Sequence, residues 1–239
     1  MFGVLKRAAQ PTGLDAILAQ AGALLMSFNG PVCDLWAVAR QASAADRLRR
    51  AVEERGFAVD GSLRESDDPM PLLQYALTRD DPGLHLAADD LMTSVEWEAV
   101  PNAVPTPGGH ETIRAAHAAG KPVAIASDAS QMAIDGYLKR HDLAVLVTAV
   151  GRYNFAPGKF KPATWSAAFA AARLKVDTHA CVFIAATTLD VQMARALRMP
   201  SIGLVTPRTA GAALRDAGAD LVLDTDGMYL IAESLLRSA

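Results

Sequence analysis

Residues 23–36 read ALLMSFNGPVCDLW. A wholly apolar run, 23–26, passes into Ser27-Phe28-Asn29-Gly30. Unbroken apolar character, without alternation, predicts a strand buried on both faces, as in a parallel sheet covered by helices. The Asn-Gly that follows predicts a turn at the strand's carboxyl end. In a doubly wound sheet ligands bind outside those ends. Ser27, Asn29 and Gly30 are therefore the first candidate site residues.

The same pattern recurs along the chain. Short runs at 23–28, 122–127, 145–150, 180–185, 201–205 and 220–223 read as strands. Helical patterns at 110–119, 130–141, 164–174, 190–197, 209–217 and 228–237 separate or follow them. This alternation predicts an α/β fold: a doubly wound, Rossmann-like parallel sheet. Between residues 34 and 107 the rhythm breaks. No strand pattern is visible there, and helical stretches at 34–55, 71–79 and 89–99 are punctuated by Gly56 and several prolines. The expected organisation is a core formed by 1–33 and 108–239, with 1–22 as an N-terminal arm carrying a short helix at 14–20. Residues 34–107 form an all-helical insertion after the first core strand.

Composition narrows the function classes. Of 239 residues, 51% are hydrophobic and 21% charged, and the net charge is -3, so nothing favours nucleic acid or an anionic membrane surface. The two cysteines, Cys33 and Cys181, offer neither a disulfide framework nor a zinc pattern. No apolar run approaches the roughly 20 residues that span a bilayer. Residues 1–22 lack the long apolar segment of a signal peptide, so a reducing, cytoplasmic compartment is expected. The Ala- and Arg-rich composition is compatible with a bacterium of high genomic GC content.

The other strand ends complete the candidate crevice. Ser127 and Asp128 follow the second core strand, and Ala186, Thr187, Thr188 and Asp190 follow the strand at 180–185. Lys161 lies in the basic segment GKFKP at 158–162.

With these groups in this order, the chain resembles the haloacid dehalogenase superfamily of phosphotransferases and hydrolases. Its first motif, Asp-x-Asp-Gly, aligns with Ser27-Phe28-Asn29-Gly30. Ser127 in AIASDAS matches its second motif, and Lys161-Pro162 its third. The fourth, Gly-Asp-x-x-x-Asp, aligns with Ala185-Ala186 followed by Asp190. The insertion matches the family's helical cap. The resemblance implies an aspartate nucleophile, a second aspartate as acid and base, and a magnesium ion held by carboxylates.

Here those carboxylates are replaced. Ser27 cannot form an acyl-phosphate, Asn29 cannot exchange a proton, and Ala186 has no metal-binding atom. Magnesium binding is accordingly expected to be lost or weak, with no other cofactor implied. Ser127, Lys161, Thr187 and Thr188 remain as anion-facing groups, helped by backbone N–H groups after Gly30 and at the helix starts. Lys161 either contacts a ligand anion directly or forms an internal ion pair with Asp190.

Three functional readings follow. The first is a pseudoenzyme binding a small anionic molecule or a protein partner between core and cap. The second is a repurposed, metal-independent enzyme using Ser27, or Lys161 with Ser127. The third is a residual phosphatase or phosphoryl transferase. Secondary candidates are Cys33 with His110 or His85, Asp34 as a hinge, Asp128 as a helix cap, and Trp36, Tyr75 and Trp97 as packing within the insertion. Asp67-Asp68 and Asp80-Asp81 read as solvated loop or cap residues.

Overall fold

The computed structural model describes residues 13–36, 41–152, 158–224 and 226–237. In chain order the strands are β1 (Ala23–Met26), β2 (Cys33–Asp34), β3 (Val104–Pro105), β4 (Val123–Ser130), β5 (Val147–Arg152), β6 (Cys181–Ala185), β7 (Ser201–Leu204) and β8 (Leu221–Leu223). The helices are α1 (Leu14–Gln20), α2 (Gln41–Glu54), α3 (Ser62–Glu65), α4 (Pro69–Leu77), α5 (Pro82–Ala99), α6 (Gly109–Ala118), α7 (Gln131–Arg140), α8 (Trp165–Leu174), α9 (Thr188–Ala196), α10 (Gly211–Ala217) and α11 (Gly227–Arg237).

Six strands form one parallel sheet in the order β5-β4-β1-β6-β7-β8. All four residues of β1 are buried. Leu24 and Met26 pack with α1, α6, α7 and α11, whereas Ala23 and Leu25 pack with α8, α9 and α10 on the opposite face. This two-sided burial is why the run is apolar without alternation. The chain leaves β1 for β4 and β5 on one side, then returns to β6, β7 and β8 on the other. The order therefore reverses between β1 and β6, which places a topological switch point beside the carboxyl end of β1.

Strand positions follow the sequence reading with shifts of a few residues. The largest is at the carboxyl end of β4, which runs on to Ser130, and β5 begins at Val147 and ends at Arg152, leaving Val145 almost fully exposed. Of the expected N-terminal arm, the described part begins at residue 13, and α1 stands where a short helix was expected.

Helices α2 to α5 form the insertion around their own core, which includes Leu48, Val52, Leu72, Leu73, Leu84 and Met92. Two of the aspartates read as solvated loop or cap residues begin helices of the cap. Asp68 accepts from Met70 N at 2.9 Å and Asp81 from Leu84 N at 3.0 Å, each just before a proline at the helix's first position. That combination satisfies orphan donors while proline supplies a helical φ.

The expectation of no strand in the insertion needs correction. β2 and β3 pair antiparallel, Cys33 with Pro105 and Asp34 with Val104, so the chain enters and leaves the cap through one ribbon. Strands of two residues carry no periodic signal.

Candidate functional site between core and cap

At the carboxyl ends of β1, β4 and β6 a cavity of 320 Å³ opens between core and cap. Core residues Ser27, Asn29, Gly30, Ser127, Asp128, Lys161, Ala186, Thr187 and Asp190 line it, so all but one of the sequence-derived site residues converge. The exception is Thr188, the first residue of α9, which is absent from the lining. Thr187, the extended N-cap residue, and Leu189 line the cavity.

Lys161 and Asp190 form an internal ion pair. Lys161 Nζ lies 2.6 Å from Asp190 Oδ1 and donates to Ser27 Oγ at 3.1 Å. Both charged side chains are almost fully buried. The other oxygen of Asp190 accepts from Ala186 N and Thr187 N, each at 2.9 Å, and Asp190 N donates to Thr187 Oγ1 at 3.1 Å. Asp190 and Thr187 thus make a reciprocal capping box at the start of α9.

This narrows the expectation that backbone N–H groups stand ready for an anion, because several of them are engaged within the protein. Those of Ala186 and Thr187 are committed to Asp190. Gly30 N donates to Cys33 O at 2.9 Å, Ala129 N to Ser127 Oγ at 3.1 Å, and Ser130 N to Glu96 Oε2 at 2.8 Å. Among side chains, Lys161 retains one further ammonium proton, and Ser27 and Ser127, both acceptors here, keep their hydroxyl protons to donate.

Asn29 Oδ1 accepts from Leu35 N at 2.9 Å, tying the turn to the segment after β2. Gly30 has φ +99°, and a Cβ there would come within 2.4 Å of the Ala186 Cβ. Glycine at this turn is therefore required both by conformation and by the close approach of the β6–α9 segment.

Asp128 does not cap the following helix; Ser130 does, accepting from Ala133 N at 3.3 Å. The Asp128 carboxylate instead accepts from Lys161 N, at 3.2 and 3.4 Å to its two oxygens. Burial pushes its pKa up, Lys161 acts against that shift, and Asp190 adds to it.

No protein-family model and no curated protein matches the chain. A solved HAD family hydrolase from Deinococcus radiodurans R1, with bound phosphate and sodium, is 24% identical, with 92% of this chain and 100% of that one covered and a TM-score of 0.59. A putative beta-phosphoglucomutase from Thermotoga maritima is 18% identical over 88% of this chain and 98% of that one, with a TM-score of 0.59. A predicted phosphatase from Clostridium acetobutylicum is 15% identical over 90% of this chain and 98% of its own, with a TM-score of 0.65. The fold is that of the haloacid dehalogenase-like hydrolases. Chemistry has to be argued from the site, because one fold hosts many activities.

A magnesium ion does not fit the donors that this haloacid dehalogenase-like fold presents here. Ala186 contributes no oxygen from its side chain, and Asn29 Oδ1 is committed to Leu35 N. Both oxygens of Asp190 are engaged, one by an ammonium that competes directly with a cation. Among the described residues, no group of three or more His, Cys, Asp or Glu side chains could hold a metal ion.

The cap contributes residues that sequence reasoning missed. Glu96 on α5 is buried and lines the cavity. Its carboxylate pairs with Arg152 at the end of β5, which also reaches Asp89 Oδ1 at 2.7 Å and Thr93 Oγ1 at 3.3 Å on the same cap helix. Burial would lower the Arg152 pKa, but Glu96 and Asp89 outweigh it and hold the guanidinium charged. On the opposite side Arg208 makes a two-pronged contact with Asp34 of the hinge, at 3.2 and 2.6 Å. The only sequence signal was a lone arginine ending an apolar run at 147–152; Glu96 gave none.

The secondary candidates resolve structurally. Cys33 is buried and its thiol is pushed well above the usual range, by burial and then by Asp34, so it is a packed residue rather than a nucleophile. His110 Nε2 bonds Tyr137 Oη at 2.8 Å, and His85 Nε2 bonds Arg79 O at 2.5 Å within the cap. Tyr75 packs within the cap core as expected. Trp36 packs there too but also lines the cavity. Trp97 is half exposed and lies over Gly136 of α7, at the joint between cap and core.

Proposed function

We propose that this haloacid dehalogenase-like protein is a non-phosphatase pseudoenzyme, which binds a small molecule through an anionic group in the core–cap cavity without turning it over. The observation that carries this reading is the state of Asp190. The remaining carboxylate of the resembled motifs is saturated by Lys161, Ala186 N and Thr187 N. No carboxylate stands at Ser27, Asn29 or Ala186. The groups that an aspartyl-phosphate cycle needs as nucleophile, proton carrier and metal ligand are thus replaced together. Donors that remain for a ligand include the third Lys161 proton, the hydroxyls of Ser27 and Ser127 and the side-chain amide N–H groups of Asn29. The structurally similar Deinococcus protein is a HAD family hydrolase with bound phosphate and sodium, which supports an anion as the ligand class. We place the protein in a bacterial cytoplasm. A protein partner could supply the anionic group through a side chain.

The 3.1 Å contact between Ser27 and Lys161 suggests a second reading, a repurposed enzyme with a serine nucleophile. It is disfavoured because Lys161 is the donor in that contact and is ion-paired with Asp190. An ammonium so held cannot take the serine proton.

The test is phosphate release from a broad phosphomonoester panel, with and without magnesium, for the protein and its Lys161→Ala variant. No turnover in either is expected. Turnover that vanishes in the variant would overturn the proposal, and magnesium-dependent turnover would also contradict the donor-set analysis. Phosphate or carboxylate binding that survives Lys161→Ala unchanged would sink the assignment of the anion to Lys161.

A further inference from the structure

The charges around the cavity do not balance. Its lining holds two cations, Lys161 and Arg208, and four carboxylates, Asp68, Glu96, Asp128 and Asp190. Both cations are already matched, Lys161 by Asp190 and Arg208 by Asp34 of the hinge. Glu96 is matched by Arg152 from outside the lining. Asp68 lies at the outer side, where it caps α4. Asp128 is the carboxylate deep in the site that has no ion-pair partner within 4.0 Å among the described residues. Its hydrogen bonds come from one backbone N–H, at 3.2 and 3.4 Å. Lys161 and Arg152 lie nearby, but each is bound to another carboxylate.

A simple dianion such as phosphate would add negative charge beside Asp128 and Asp190, while the one nearby ammonium is already paired and the other donors, the hydroxyls of Ser27 and Ser127 and the Asn29 amide, carry no charge. A ligand that also brings its own positive charge meets no such conflict. The side of the cavity formed by the cap supplies Trp36, whose ring face is a suitable neighbour for an ammonium group. A volume of 320 Å³ suits a small molecule.

We infer that the cavity takes a small zwitterion, with its carboxylate directed to Lys161, Ser27 and Ser127 and its ammonium to Asp128, within a cavity also lined by Trp36. This rests on the non-phosphatase binding reading above and names the ligand class.

The experiment is calorimetric titration of the full chain with glycine, β-alanine, 4-aminobutyrate and lysine. Each is matched by its amine-free acid, acetate, propionate, butyrate and hexanoate, and inorganic phosphate is included. At least one amino acid should bind ten times more tightly than its amine-free partner. Asp128→Asn should abolish that preference while leaving the amine-free acid unchanged or tighter, and Asp128→Glu should restore part of it. Circular dichroism and thermal melting of both variants establish that they fold. Amine-free acids or phosphate binding as tightly as every amino acid would overturn the inference while leaving the anion-binding reading intact. Absence of binding by every amino acid would overturn it too, as would a preference that persists in Asp128→Asn. Failure of the non-phosphatase reading shows separately, as phosphate release.

Discussion

Arg152 of the core and Glu96 of the cap are joined across the domain boundary, with 6% and 1% of their side chains exposed. The same guanidinium holds Asp89 and Thr93 on that helix and donates to the main-chain carbonyl of Asp128 in the cavity wall, at 2.9 Å. One side of the cap is thereby fastened to the strand end that carries the site.

Breaking this fastening should cost far more than breaking its counterpart at the hinge. Arg152→Met leaves Glu96 and Asp89 buried without their cation, and removing one partner of a buried pair costs about 3–5 kcal/mol. Arg208→Met removes a half-exposed pair with Asp34, for which about 0–1 kcal/mol is expected. Urea unfolding would measure both, and hydrogen exchange should show α5 opening in the first variant only. Equal, small losses would mean that the buried cluster does not hold the cap.

The Lys161–Asp190 pair invites a second comparison. Lys161→Met strands a buried carboxylate and should destabilise the chain by about 3–5 kcal/mol. Adding Asp190→Leu removes the stranded charge but also the capping-box bonds to Ala186 N and Thr187 N. Recovery should therefore be partial, short by about 1 kcal/mol or more for the lost cap. Full recovery in thermal melts would show that the capping bonds contribute nothing.

Gly30 and Gly56 separate conformation from close packing. Both have positive φ, +99° and +81°. Around Gly56 a Cβ would meet nothing within 4 Å, whereas at Gly30 it would strike Ala186. Gly56→Ala should cost about 1 kcal/mol of backbone strain. Gly30→Ala should cost a further ~1–3 kcal/mol for overpacking. Equal destabilisation of the two variants would contradict the contact between the turn and the β6–α9 segment.

Acid should weaken the fold through His110 and His141, whose ring centroids lie 4.9 Å apart beside Tyr137. Burial lowers the His110 pKa, and His141 and Arg114 add to this against Glu111. Burial likewise lowers that of His141, with Arg140 and Arg114 adding and Asp142 opposing. Unfolded histidine titrates near pH 6.5, so below about that pH the unfolded chain binds more protons and stability falls as pH drops. Asp128, whose pKa is raised, acts with the opposite sign: its contribution is present at low pH and is lost as pH rises. The pH dependence of urea midpoints should therefore be compared with that of His110→Gln/His141→Gln. A slope unchanged in the double variant would refute the assignment to this pair.

Much of the fold was legible in the chain because burial on both faces demands unbroken apolar runs. ALLM at 23–26 and CVFIA at 181–185 are buried along their whole length. The site was legible because a parallel sheet delivers whatever follows its strands to one edge. That is how Ser27, Ser127, Lys161 and Asp190 could be grouped although the first and last are 163 residues apart by number. Of their partners, the Lys161–Asp190 pair was legible only as one of two alternatives, and the others were not legible. A capping box announces itself only weakly in Thr187 and Asp190, and no local pattern says that its amides are then closed to a ligand. Glu96 meets Arg152 only because the cap folds back onto β5, and Asp128 is left without a counter-ion only because that meeting and the Lys161–Asp190 pair consume the nearby cations. Local patterning thus set the strands, the helices and the identity of the groups at the sheet's edge. Which charges neutralise one another, and which remains for a ligand, depended on contacts of 2.6 to 3.3 Å that only the packed tertiary structure creates.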